Sequence, residues 1–594
     1  MADPLPGFER PAAQQRVVPR PEGRIVRVQP DITSIQRSFD YEVPKAWEDD
    51  GRAEKVVVGA LVRIDFNGRR TAGWVTDVDV PFDNQVEVRP LAKWSSYGPP
   101  ASVIELIGWA AWRWAGRAPH FLRAASPPRM VTRLRPTASP ETVQVERAHA
   151  AAFDTASALV RTAPRDDSVG LAVAAAARGR ALILVPTISQ RIELVASLRA
   201  RGVSVAEYDN QWDRSAAGWT TVGTRTAAFA PLERVDAVLV IDEHDSAYKE
   251  ERTPAWNARD VALERARRDG APCVLTSPSP SLEGLRATER HLVPERSSER
   301  NAWPLVQVVD LRTQDTPGLL TERIVDLIRG DGPIACILNR KGRARMLACA
   351  RCSSLAACAE CGAALREDDD GRLVCPRDGT TRPMVCGECG GTHMKQLRLG
   401  ISRMAEDLAV LAKRDVIEVS AETPPQVLQG NQLFIGTEAL LHRLRDARAV
   451  IFLDFDQELA IPRTRASEDA FALLALAARR VGPRSVGGQV VIQTRRPDDV
   501  VVQAAVHGDP ARFATSQRDI RKVFHQPPYG AWALISGAGA DEFVANVADI
   551  GVQKNQLGDR WRISALNHEV LLDAVNAAER PAERVRVEID PLDI

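Results

Sequence analysis

The chain has 594 residues, enough for several domains that each bury a core, and its 78 Lys+Arg balance 78 Asp+Glu to a formal charge of zero. That balance argues against a strongly basic coat protein for nucleic acid, and no apolar run reaches the length that crosses a bilayer. The N-terminus shows no charged-then-apolar leader, so a cytoplasmic location with no membrane partner is expected.

Residues 1–20 are rich in Pro, Gln and Arg and read as a disordered tail. From Gly23 to Trp94, short alternating runs predict strands: Arg24–Val28, Ala60–Ile64 and Thr71–Val75, with Asn67-Gly68 as a tight turn. A small β-barrel or rolled sheet follows from that pattern. Ser102–Trp114 reads as a helix with Ser102 as its N-cap. No acidic residue occurs from Leu106 through Pro140, while Arg113, Arg117, Arg123, Arg129, Arg133 and Arg135 fall there with Trp109, Trp112 and Trp114. Cations mixed with aromatics suit phosphate contact and base stacking; the plainer reading is a core helix with solvated arginines, and both stay open.

Residues 145–300 alternate short apolar runs with amphipathic stretches, the mark of a buried parallel sheet in an α/β lobe. The runs are Ala181–Val185, Asp236–Ile241 and Pro272–Thr276. A second series follows at Ile334–Leu338, Leu433–Ile435, Ala449–Leu453 and Gln489–Gln493. The last hundred residues look α+β. The expected division is 1–20 tail, 21–135 N-terminal DNA-binding domain, 136–300 first lobe, 301–345 and 395–500 second lobe, 346–394 cysteine-rich insertion, and 501–594 C-terminal domain.

Seven of the nine cysteines lie between Cys349 and Cys389. They form the knuckles Cys349/Cys352, Cys358/Cys361 and Cys386/Cys389, plus Cys375 with Asp378 at the position of a second ligand. A C-x-x-C turn aims two thiolates at one cation, and soft sulfur donors favour zinc. The outer knuckles, Cys349/Cys352 with Cys386/Cys389, complete a four-sulfur site. The inner set, Cys358, Cys361 and Cys375, takes Asp378 as its fourth ligand. One to two zinc ions are expected. Scattered buried thiols or disulfides are the plainer alternative.

Two α/β lobes with a cysteine-rich insertion in the second resemble the primosomal replication-restart helicase PriA family, from about residue 23 to 594. Phe39-Asp40-Tyr41 resembles the family's FDY motif, which helps form a pocket for a DNA 3′ end. Gly223–Pro231 is similar to GTRSALFAP, Asp242–Lys249 to DEEHDSSYK and Asn257–Asp260 to HARD. Ser279–Glu283 stands where ATPALE would, and Leu338–Gly342 resembles LNRRG. Gln526–Tyr529 and Glu588–Leu592 resemble C-terminal landmarks. The resemblance implies two RecA-like helicase lobes, forked or single-stranded DNA as ligand, and roles in DNA replication, repair and recombination at the nucleoid. It also implies other primosome proteins and single-stranded DNA-binding protein as partners. Phe39, Asp40, Tyr41, Gly68 and Arg89 are carried over as the 3′-end pocket, although Asp65 and Asn67 depart from the family's PFG pattern.

The departures bear on mechanism. A phosphate-binding loop needs glycines, a Lys and a Ser/Thr. No Gly-Lys dipeptide occurs in the chain, and Arg161-Thr-Ala-Pro-Arg-Asp-Asp-Ser168 occupies the loop's place. Asp242 and Glu243 remain as a vestigial Walker B pair. Arg479–Gly487 stands where the family's GRAGR would, so the arginine-finger role is not carried over. Leu399–Arg403 replaces a GTER-like turn, and a winged-helix segment is missing after Arg135. The expected function is a DNA-binding replication-restart protein whose pseudo-helicase lobes do not hydrolyse ATP and need no ATP or magnesium. The alternatives are an active ATP-dependent 3′–5′ DNA helicase of superfamily 2, and a zinc-ribbon nuclease with His244 beside Asp242 and Asp245.

Overall fold

A computed structural model describes residues 21–592, apart from positions 36, 84–86, 139–142, 315–317, 340–346, 369, 378, 397–400, 421, 429 and 431. The expected tail, Asp378 and most of the Leu338–Gly342 run lie outside the described residues.

The N-terminal strands are Ile25–Pro30, Phe39–Glu42, Leu61–Phe66 and Arg69–Val78, and Leu61–Phe66 alternates buried Val62 and Ile64 with exposed Arg63 and Asp65. The sheet ends on two pieces of one run, Arg89–Pro90 beside Phe39–Glu42 and Lys93–Ser96 beside Leu61–Phe66. Leu91 donates its N–H to Glu42, and Ala92 donates to Arg63, so the run closes the sheet into the expected small barrel. Val26, Val28, Tyr41, Val62, Ile64 and Val75 fill it.

The next helix spans Ala101–Arg113, one residue earlier than expected. Pro100 precedes it and no side chain caps it, so Ser102 is not the N-cap. Ser102 lies inside the first turn, and its hydroxyl donates instead to the Glu233 carbonyl at 2.6 Å. Trp114 is buried, and Trp109 and Trp112 pack against the same core. Four of the six arginines pair within the chain: Arg113 with Asp590, Arg117 with the Thr33 carbonyl, Arg123 with Asp31 and Arg135 with Asp213. The structural reading of that basic stretch therefore accounts for most of it.

Two parallel sheets follow. The first, of seven strands, has Cys273–Ser277, Ala237–Val240 and Ala181–Leu184 at its centre, all buried. Helices cover both faces, which is why these strands read as continuous apolar runs. The second has six strands, with Ala449–Phe452 and Ile334–Ile337 central. Its additional strands Leu305–Asp310 and Val416–Val419 were not apparent in the sequence, because half-exposed and charged residues interrupt them. The cysteine-rich segment enters after Ile334–Ile337 and leaves before the helix Ile401–Ala412. Among the described residues, only the short helices Arg147–Ala150 and Ala151–Phe153 lie between Arg135 and the first strand of the first sheet. The C-terminal four-stranded antiparallel sheet shares one apolar core with Ala101–Arg113 and the first lobe. No described helix is long and apolar enough to cross a membrane.

Candidate functional site

The four cysteine knuckles share one backbone pattern. Each first cysteine donates its N–H at 2.8 Å to a carbonyl five residues on, from Cys349 to Ser354, Cys358 to Ala363, Cys375 to Thr380 and Cys386 to Gly391. The residue four positions on returns an N–H to that cysteine's carbonyl and has positive φ: Ser353, Gly362, Gly379 and Gly390. Glycine suits three of these turns because the left-handed region carries no Cβ penalty for it. The sulfurs of Cys349, Cys352, Cys386 and Cys389 all lie within 4.8 Å of one another, and so do those of Cys358, Cys361 and Cys375. The closest pairs are Cys349–Cys389 and Cys352–Cys386 at 3.6 Å and Cys361–Cys375 at 3.5 Å. Four thiolates at Zn–S of about 2.3 Å in a tetrahedron sit about 3.8 Å apart, so both clusters fit a metal ion such as zinc. Cys375 keeps the same turn as the other knuckles although Asp378 follows it where they have cysteine.

The place of a phosphate-binding loop lies between the strand Ser157–Arg161 and the helix Val169–Ala176. The first N–H groups of a helix are free to bind an anion. Here the chain's own acids take them: Asp166 accepts from the Ser168 N–H at 2.7 Å, and Asp167 from the Val169 N–H at 3.1 Å. Asp242, at the end of Ala237–Val240, is 4 % exposed. Arg479 of the second lobe donates to both its carboxylate oxygens, at 2.7 and 2.6 Å, and to the Pro164 carbonyl at 2.6 Å. Gln190 adds a third donor to Asp242 at 2.9 Å. Burial pushes the Asp242 carboxyl up, but Arg479, His244 and Gln190 outweigh it and hold the group below the usual carboxylate range.

Glu243, 1 % exposed, is equally committed. It accepts from the Ser281 N–H and hydroxyl, both at 2.7 Å, and from Arg259 at 3.2 Å. Ser281 in turn caps the helix Leu282–Ala287 through the Gly284 N–H. His244 Nδ1 meets the Ser277 hydroxyl at 2.7 Å, inside the same lobe. Among the described residues, the groups found within reach of one metal ion are the two cysteine sets, so no cluster around His244 supports the nuclease alternative. Sequence reasoning missed Arg479 as the partner of Asp242. Its signal was an arginine in the second lobe's altered GRAGR segment.

The candidate DNA pocket falls on the barrel. Phe39 and Tyr41 share one strand face, and Asp40 points to the other, where Arg27 holds it at 2.8 Å. Tyr41 is 4 % exposed and in register with Arg89 on the neighbouring strand. Burial raises the Tyr41 hydroxyl's pKa, and the Arg89 charge opposes that. Gly68 closes the hairpin Leu61–Phe66/Arg69–Val78 with φ of 76°, and a side chain there would meet nothing within 4 Å. Phe66 beside that turn packs edge-on against Phe39 at 5.1 Å, and Arg37 lies over the Phe39 ring. The fold thus sets Phe39 against Phe66, two residues before Gly68, and Tyr41 beside Arg89, with Asp40 on the opposite strand face.

Comparison with known proteins gives a consistent set of relatives. A family model described as "3'DNA-binding domain (3'BD)" matches residues 25–127. The replication restart protein PriA of Bacillus subtilis is 27 % identical over 401 residues, covering 61 % of this chain and 50 % of that protein. That of Treponema pallidum is 29 % identical over 395 residues, 60 % of each. A probable replication restart protein PriA of Mycobacterium bovis is 26 % identical over 565 residues and covers 85 % of both chains. The chain spans about half the length of the Bacillus subtilis and Haemophilus influenzae relatives. Among solved structures, a DEAD box protein from Methanococcus jannaschii aligns at TM-score 0.30 and 10 % identity, covering 63 % of this chain and 87 % of that one.

Proposed function

We propose that this chain, which belongs to the PriA family, binds forked or 3′-ended DNA to restart replication and neither binds nor hydrolyses ATP. The observation that supports this reading is that the chain's own side chains engage the helix amides and both acids of the Asp242–Glu243 pair. Asp166 and Asp167 take the helix amides, Arg479 takes both oxygens of Asp242, and Ser281 and Arg259 hold Glu243. Phosphoryl transfer depends on loop amides, a lysine, magnesium and free acidic groups to position and neutralise the phosphates. Two acids at the helix start repel phosphate instead of cradling it.

The DNA-binding half of the reading draws on the matched 3′ DNA-binding domain and the half-buried ring of Phe39 beside Phe66 and Arg37. Aromatic faces stack on bases, and nearby guanidinium groups neutralise phosphate. Zinc at the two cysteine clusters would hold the insertion in a fixed shape; at the outer one, four cysteines fill the tetrahedron and leave no open position for chemistry. Other primosome proteins and single-stranded DNA-binding protein are its proposed partners. The test is fork binding with a free 3′ end, with the 3′ end removed, and with ATP and magnesium added. Tighter binding to the free 3′ end with no response to ATP is expected. Affinity that responds to ATP would overturn the nucleotide-independent reading.

A further inference from the structure

We infer that the helix Ala466–Val481 is a tie-bar that fixes the two lobes in one closed arrangement, pinned to the first lobe at both ends by arginines. This rests on the reading that the cleft turns over no ATP. It goes further by denying the lobes the hinge motion that a motor needs.

At the helix's C-terminal end, Arg479 reaches across to Asp242 and to the Pro164 carbonyl. At its N-terminal end, Arg465 reaches Glu283 of the first lobe at 3.3 Å. Arg521, on the helix Pro510–Val523 whose Phe513 packs into the second lobe's core, adds a contact to the same Glu283 at 3.6 Å and to Glu468 at 2.9 Å. Arg465 also holds Glu468 at 2.8 Å, so the N-terminal anchor is a network of two acids and two guanidinium groups. Arg465 and Arg479 are 14 positions apart (479 − 465), which at about 1.5 Å per residue separates the anchors by about 21 Å.

One contact lets two bodies pivot in any direction; two contacts this far apart leave only rotation about the line that joins them. The helix cannot yield on its own, because Phe471 stacks between Trp303 and Phe513 at 5.6 and 4.8 Å in the second lobe's core. Arg165 of the first lobe also pairs with Asp446 of the second, at the rim. Motors of this architecture open and close around nucleotide, and each state needs contacts that the ligand supplies or removes. Here the contacts that close the cleft are all within the chain, so no ligand is required to form them.

The test is the distance between labels on noncanonical residues at Ile192 and Val410, exposed positions on the two lobes, in the full chain with its cysteines intact. The expected result is one narrow distance, unchanged by ATP and magnesium or by forked DNA. Arg479→Glu should broaden it and speed amide exchange in segment 162–168 by about tenfold or more. The swap Arg479→Asp with Asp242→Arg should restore both. Glu283→Lys probes the other anchor and should broaden the distance independently. A wild-type distance that shifts with nucleotide or DNA overturns the tie-bar, as does an unchanged distance in both Arg479→Glu and Glu283→Lys. ATP hydrolysis at one fixed distance would sink the proposed function and leave the tie-bar standing; movement without hydrolysis would do the reverse.

Discussion

Replacing Asp242 with Asn separates a closed, self-satisfied cleft from an empty motor site. In the observed arrangement, the change leaves the Arg479 guanidinium facing a neutral amide. Removing one partner of a buried ion pair costs about 3–5 kcal/mol. Arg479 keeps its bond to the Pro164 carbonyl and its side chain is 19 % exposed, so the lower end applies, about 3 kcal/mol. For a domain of about 150–250 residues, each kcal/mol moves Tm by about 2–4 °C, which predicts a fall of about 6–12 °C at neutral pH. Acid should erase the difference. The folded Asp242 carboxyl lies below its ordinary value, so on acidification the unfolded chain, titrating near about 3.9, takes up the proton first. The ion pair's contribution is therefore complete above about pH 4 and is lost as pH falls through the folded value. Calorimetry of wild type and Asp242→Asn across pH measures this, with fork binding checked alongside and expected unchanged. In an empty metal-binding site the carboxylate would be uncompensated beside Glu243, and Asn would be neutral or stabilising. An unchanged or raised Tm for Asp242→Asn would refute the reasoning.

Metal analysis of protein purified without chelator should give between one and two zinc per chain, matching the two cysteine clusters; near-zero metal would contradict the assignment. Asp378→Cys should slow chelator removal of the inner ion, while an unaltered rate would discount Asp378 as its ligand. Tyr41 is buried among Val26, Val62 and Val75, so Tyr41→Ala should cost about 3–5 kcal/mol of stability and weaken binding to every DNA substrate. Tyr41→Phe keeps the packing; a selective loss on 3′-ended forks with this variant assigns the hydroxyl a binding role, and no loss makes Tyr41 structural.

The apolar centres of both lobes were legible because a strand covered on both faces has no need of polar residues. Ala181–Leu184 and Ala449–Phe452 are buried at every position. Edge strands such as Val205–Glu207 and Val416–Val419 were not, since a partly solvated strand of three or four residues carries no distinctive period. The cysteine clusters were legible because the ligand turn is local: each knuckle closes within six residues. The helix cap at Ser102 failed for a tertiary reason, as the Glu233 carbonyl claims that hydroxyl. That Arg161–Ser168 has neither glycine nor lysine could be read from the sequence, but the contacts this segment makes could not. Arg479 and Asp242 are 237 residues apart, and Arg465 and Glu283 meet only once the lobes are folded. Sequence pattern reports local turns and periodicity, whereas these ion pairs depend on the relative placement of two sheets.

The central claim is that the chain's own side chains stand where nucleotide would bind. ATP hydrolysis by the zinc-loaded protein, measured with and without forked DNA and compared with Glu243→Gln, tests it most directly. Loss of even one transition-state donor typically costs about 10²–10³ in rate, and here Asp166 and Asp167 take the helix amides, segment 161–168 has no lysine, and Asp242 is paired with Arg479. The account predicts no DNA-stimulated hydrolysis and identical background rates for wild type and Glu243→Gln. DNA-dependent hydrolysis that Glu243→Gln abolishes would contradict it.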